Sequence, residues 1–372
     1  MKKIIFSFAA CAMVCMFATQ NASARTWRVN LLSNYDGSTL WGDNFGGNAG
    51  NPVFSNLTEA NGSALVQNGD SLHVEGSIST YEGVYLTKRL TVVGPGFLLT
   101  DNANTSNDLL EAKINYVVFL AGSNGSSIIG LHIVSGSGVQ VDNNMSNITV
   151  KRCRIDYALS VSYASSDIFV IGNFFNNINS SNASAIAING SGFPVNFIFN
   201  NNICQRTLLL APSATITYSA VECKNNVFDC PAVSGSPSIK LLCNNFQNNI
   251  LKTPGASVDV NANVPGSGVS YNISASSTAQ FGTVNNNIVV ADQTTLFITS
   301  TSTDGKYQLK PASQASNNGS DGTDRGAYGG ASISNHYTLS GLAPIPVIYD
   351  ISTSGVSDAS GLPVTIRART IK

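Results

Sequence analysis

Four charged side chains fall close together in K-R-C-R-I-D: Lys151, Arg152, Arg154 and Asp156. A lysine crowded by cations gives up its proton more readily and can act as a base. A neighbouring Arg152 or Arg154 could neutralise a substrate carboxylate without a metal. Together these residues could remove the proton beside a carboxylate, although a solvated charged face is the commoner meaning of such a run. Other acids are scattered: Asp101, Asp108 and Glu111 near Lys113, then Asp142 and Asp167. Asp321 and Asp324 in S-D-G-T-D-R-G lie among glycines, as in a calcium loop, but calcium takes about six or more oxygens. With two acids, the segment reads as a polar turn. There is no C-x-x-C pair, and His73, His132 and His336 stand far apart, so neither a metal site nor a cofactor is expected.

What positions these residues is a repeat. The chain returns to one pattern, apolar, any, apolar, two polar or small residues, Asn, any, apolar, in SDIFVIGNFF, NFIFNNNIC, AVECKNNVF, FQNNIL and GTVNNNIVV. The pattern's Asn falls at Asn173, Asn202, Asn226, Asn249 and Asn287, with Leu131 and Cys153 in the same column of earlier copies. From Leu131 to Asn249 the separations are 22, 20, 29, 24 and 23 residues, a period in the low twenties with insertions. The apolar residues alternate as strands require, and the period is that of a solenoid. The step from Asn249 to Asn287 is too long for one coil, and Asn272 in SYNIS is an imperfect marker of the missing turn. An inward-facing amide at every coil can satisfy turn backbone and bond its neighbours about 4.8 Å away. The column is therefore expected to be a structural ladder.

The same register tests the acids. Three residues past the ladder column stand Asp156, Asn176, Gln205, Asp229 and Lys252. Asp156 and Asp229 share that column but are three coils, about 14 Å, apart. Two carboxylates cleaving one glycosidic bond must lie within about 5 to 10 Å, so no acid pair is expected in the central coils.

Composition narrows the partners. A net charge of -1 with 11% charged residues offers no footprint for nucleic acid or an anionic membrane. Polarity comes instead from uncharged groups, including 42 Asn residues. Lys2 and Lys3, an apolar stretch from Ile4 to Ala18, and Ala22-Ser23-Ala24 before Arg25 read as a secretory signal. No later run is long enough to span a membrane. The mature chain is thus expected outside the inner membrane, periplasmic, cell-surface or extracellular. Removal of Cys11 and Cys15 leaves Cys153, Cys204, Cys223, Cys230 and Cys243, an odd number. Cys153, Cys204 and Cys223 are expected as buried free thiols, with Cys230 and Cys243 the pair left open.

Asn56, Leu57, Thr58 and Glu59 read as a helix start, and Leu57, Ala60, Ala64 and Leu65 continue at helical spacing, so a short helix should cap one end of the solenoid. GDSLHVEGSISTYEGVYLTKRLTVVGPG, Gly69 to Gly96, resembles the opening coils of bacterial pectin-lyase-like β-helix proteins, and the Asn-bearing repeats resemble their central coils. YQLKPASQASNNGSDGTDRGAYGG, Tyr307 to Gly330, is similar to the end segment of exported β-helix proteins, in which a strand precedes a Pro-Ala-Ser-like turn and a D-x-G-A-Y motif. The resemblance implies an all-β fold, a right-handed parallel β-helix with a short N-terminal capping helix and a C-terminal hairpin-like segment. The expected layout is a signal over 1–24, a cap over 25–68, the β-helix over 69–330 and a strand segment over 331–372. Activity is not implied, since the superfamily includes lyases, glycosidases, epimerases and proteins with no known catalysis. Two functions are carried forward: noncatalytic binding of a polysaccharide or cell-envelope glycan, and a polysaccharide lyase or glycoside hydrolase acting on an acidic polysaccharide.

Overall fold

The computed structural model describes residues 24–33, 47, 50–178, 184–190, 192–210, 221–241, 243–260, 268–353 and 361–370. Of the expected leader, residues 1–24, all but Ala24 lies outside them. Short strands stack coil on coil as a right-handed parallel β-helix, and every pairing between coils is parallel. An eleven-stranded sheet runs from Val53–Phe54 and Thr26–Val29 to Val269–Ser270, and a nine-stranded sheet from Lys113–Ile114 to Ile288–Val289. The third face is a five-stranded sheet, Val84–Leu86 to Ile186–Asn189, followed through a Ser184 to Thr207 bridge by the three strands from Leu208–Leu209 to Val258–Val260.

Alternation sets the core. In Ser146–Lys151, Ile148 and Val150 point inward while Thr149 and Lys151 point out. Coil by coil, Ile128, Val150, Val170, Phe199, Cys223 and Phe246 fall in one inward column. The rings of Phe199, Phe228 and Phe246 stack nearly parallel within that core.

From Asn173 onward, the corner between the eleven-stranded and nine-stranded sheets carries the ladder. Asn173, Asn202, Asn226, Asn249, Asn272 and Asn287 are all buried, and the Nδ2 of each of the first five donates to the next Oδ1 at 2.9 to 3.2 Å. That same Oδ1 accepts the backbone N–H of the preceding ladder residue, as Asn226 does from Asn202 at 2.8 Å. Asn272 is a full member of the stack, so the long step from Asn249 holds one more coil. The residue before the ladder position has positive φ in successive coils: Gly130, Arg152, Gly172, Asn201, Asn225, Asn248, Tyr271 and Asn286. Left-handed backbone favours Gly and Asn, which explains the repeated Asn-Asn pairs. The first supplies the turn and the second the ladder.

Three expected boundaries move. Thr26–Val29 pairs with Ser71–Val74, so the solenoid begins inside the segment assigned to the cap. The helix spans Leu57–Gly62, with Asn56 Oδ1 accepting from Glu59 N–H, and stops before Ala64 and Leu65 because Ser63 is extended. It covers the edge strand Val84–Leu86, with Asn61 Nδ2 donating to Tyr85 O, which removes an open edge. Finally, the segment after the last coil is a strap. From about residue 291 to 345 it returns along the outer face of the nine-stranded sheet. Its Leu296, Phe297, Tyr307, Ala315, Ala327 and Tyr337 cover the outward column of Phe174, Ile203, Val227, Ile250 and Ile273. Residues 331–345 therefore belong to the solenoid's covering, and Tyr307 ends a 3-10 turn, Gly305–Tyr307, where the resemblance implies a strand. Only Pro346–Thr353 and Val364–Thr370 form the terminal antiparallel hairpin. In the D-R-G of the strap, Arg325 donates to the carbonyls of Asn318, Asn272 and Asn286, closing the last coils. Among the described residues no helix is long and apolar enough to cross a membrane.

Cys153, Cys204, Cys223, Cys230 and Cys243 are buried thiols outside any disulfide. Burial pushes the thiols of Cys153, Cys204 and Cys243 up to about 12 and raises those of Cys223 and Cys230 as well. Thiolates are the reactive form. We expect a thiol reagent at pH 8 to label none of the five in the native protein and all five after denaturation, read by mass.

Candidate functional site

The four charged residues of one coil face different ways. Lys151 ends its strand on the outer face of the eleven-stranded sheet, where burial and then the charge of Arg152 lower its pKa. Arg152 follows with φ of 50° and turns under the strap, where Nη1 and Nη2 donate to Leu342 O at 3.0 Å and Ser334 O at 3.4 Å. Arg154 and Asp156 lie on the nine-stranded side and bind each other, Nε to Oδ1 at 2.9 Å. The coil therefore does not gather its charges around one substrate position, and the arginines offered as carboxylate partners for Lys151 are engaged elsewhere.

Arg154 and Asp156 belong instead to a charged knot across three coils. Lys113, His132 and Arg154 are in register along the sheet. Glu111, just before Lys113, accepts Leu98 N–H through Oε1 at 2.7 Å and meets His132 Nδ1 through Oε2 at 2.5 Å. The other ring nitrogen, Nε2, lies 2.9 Å from Asp156 Oδ2, and Asn176 Nδ2 donates to Asp156 Oδ1 at 2.8 Å. Burial alone would raise the Asp156 carboxyl, but His132, Arg154 and Asn176 outweigh it and hold it at about 2. Glu111 is lowered too, with His132 again overcoming burial. Both imidazole nitrogens and three of the four carboxylate oxygens are already occupied by side chains, the fourth by a backbone amide. These contacts tie three coils and the Leu98 loop together.

Sequence reasoning named Glu111 and Asp156 separately and missed the histidine between them. A usable signal was present: the two contacts span 21 and 24 residues, one coil each. The remaining acids are also spent locally. Asp101 accepts from Thr303, Asp108 from Leu110 N–H and Asp167 from Asn196. Asp229 meets Tyr307 OH and Lys252, while Asp321 and Asp324 accept from Thr323 and from Asn317 N–H within their own turn. Asp142 is exposed. Among the described residues no group of three or more His, Cys, Asp or Glu is placed to hold a metal ion.

Unspent groups gather elsewhere, at the corner where the N-terminal coils turn into the eleven-stranded sheet. A cleft of about 500 Å³ is lined by Arg89, Thr91, Asn124, Ser146 and Asn147, with Gly69 and Gly125. Arg89 is exposed and its guanidinium has no hydrogen-bond or ion-pair partner among the described residues. Its side chain passes close to two glycines. A Cβ on Gly125 would come within 3.0 Å of Arg89 Cδ, and one on Gly69 within 3.3 Å of Nη2. Both glycines have positive φ, so a side chain there would be strained as well as crowded. Thr91 belongs to an outward column of hydroxyls, Thr26, Ser71, Thr91, Ser127 and Thr149, one per coil, in which Ser127 Oγ donates to Thr91 Oγ1 at 3.3 Å. The cleft combines one cation, uncharged amides and hydroxyls, and no lining carboxylate among the described residues.

No family model, no curated protein and no solved structure matches the chain. The fold rests on the pairing of its own coils, and function must be argued from the two sites.

Proposed function

We propose that this is an exported β-helix, similar to the pectin-lyase-like proteins, that binds a polysaccharide or cell-envelope glycan without cleaving it. The observation that carries the reading is the Arg89 cleft opening onto the column of hydroxyls. Saccharides are recognised by amides and hydroxyls, and an arginine fork pairs two ways with an acidic substituent. Lys151 is the one support for the alternative, a lyase acting on an acidic polysaccharide, because its lowered pKa suits a base. Against it stand Arg152 and Arg154, which are bound to strap carbonyls and to Asp156 and do not face the lysine's sheet.

The test is retention of the purified mature chain on acidic and neutral polysaccharides, run beside an absorbance assay for new unsaturated ends. Retention without new absorbance is expected, and Arg89→Met should weaken binding to the acidic polymer about tenfold, the worth of one charge-assisted contact. Unsaturated products that disappear in Lys151→Ala would replace this reading with the lyase.

A further inference from the structure

A second cavity lies where the strap meets the terminal hairpin, and its reading is independent of the glycan one. It has a volume of about 490 Å³, within the usual range for small-molecule sites. Its walls come from the Leu98 to Thr105 loop, the strap and the terminal hairpin. Tyr328 and Tyr337 pack edge to face at 5.3 Å and turn their hydroxyls away, to the backbone oxygen and carboxylate of Asp304. That leaves ring carbons, with Leu339 and Leu342, to line an apolar wall.

Arg369 of the hairpin also lines this crevice. Among the described residues its buried Nε has no hydrogen-bond partner, and its guanidinium lies over the ring of Tyr349, 5.9 Å from the centroid. No carboxylate lines the cavity among the described residues. Asp304, behind the tyrosines, is already spent on Asn102, Ser302, Tyr337 and Ser340 N–H. A partly buried cation without an anion is costly, and an anion supplied by a ligand would relieve it. Arg367, two residues away, shows the contrast, since it has Asp350 at 3.6 Å.

We propose that this crevice is a binding site for an organic carboxylate with an apolar body, its carboxylate on Arg369 and its body against Tyr328, Tyr337 and Leu339. The probes are 3-phenylpropionate and its alcohol, 3-phenylpropan-1-ol, titrated calorimetrically into the full mature chain. The acid binds saturably and at least about tenfold more tightly than the alcohol, the difference one charged hydrogen-bond pair makes. Arg369→Met removes that preference, Ala103→Trp fills the cavity and removes binding of both, and Arg367→Met changes neither. Failure of the acid to bind, equal binding of acid and alcohol, or an undiminished preference in a folded Arg369→Met protein overturns the assignment. Because the acid and alcohol are compared on the unaltered protein, the result does not depend on any variant folding.

Discussion

Asn226→Ala is expected to destabilise the protein by about 3 to 5 kcal/mol, far more than removal of an ordinary surface amide. The side chain accepts from Asn202 N–H and Asn202 Nδ2 and donates to Phe199 O and Asn249 Oδ1, all inside the core. Truncation leaves the Asn202 amide and the Phe199 carbonyl buried without partners, at about 1 to 3 kcal/mol each, and opens a small void. Asn226→Asp does not rescue it, because an ionised carboxylate can accept from Asn202 but cannot donate, and would be a buried charge beside Asn249 Oδ1. At the end of the stack Asn287 also accepts from Asn272 N–H and Nδ2, but it donates to Val269 O and Phe281 O rather than to a further amide, so Asn287→Ala interrupts no rung beyond it and should cost somewhat less. Denaturant melts of the three variants against the parent check the order. A loss at Asn226 below about 1 kcal/mol would mean that the amides do not act as a ladder.

The ladder was legible because one chemistry recurs at one period. Cys153 to Asn249 could be aligned without knowing the fold, and each inward apolar residue came with them. Asn272 was obscured because it lies 23 residues after Asn249 but only 15 before Asn287, a coil shortened at the solenoid's end. The double Asn was visible, yet only the backbone shows that its first member serves a left-handed turn. The strap escaped for a different reason. It is not a repeat, and its hydrophobic residues are spread among Gly, Ser and Thr. The hint lay in the coils it covers, where Phe174, Ile203, Val227, Ile250 and Ile273 directly follow a ladder Asn and would otherwise face water. The site was least legible. Matching columns compares residues at equal positions, whereas Glu111, His132 and Asp156 meet from unequal positions by side-chain reach. A position-by-position test therefore found Asp156 isolated, when Arg154 stood two residues away in the same coil and His132 one coil away.

Those partners make Asp156→Ala the second large effect expected, about 3 to 5 kcal/mol, the cost of leaving His132 and Arg154 largely buried after their shared anion is removed. The pH dependence follows from the same contacts. Asp156 is held at about 2, below the 3.8 of an ordinary aspartate. A carboxyl with a depressed folded pKa stabilises the fold above the unfolded value and loses that contribution as pH falls through the folded one. The parent should therefore exceed Asp156→Asn in stability by roughly 2 kcal/mol near neutrality, and the gap should close between about pH 4 and pH 2. Glu111 titrates in the same direction, so Glu111→Gln should show a similar acid-sensitive gap. Urea melts at pH 7, 4 and 2.5 measure it. A gap that stays constant with pH would show that Asp156 acts by packing alone. If the melts behave as expected while Arg154→Ala leaves glycan retention unchanged, the charge cluster belongs to the scaffold and the binding surface is the Arg89 corner, where the cation has no partner within the described fold.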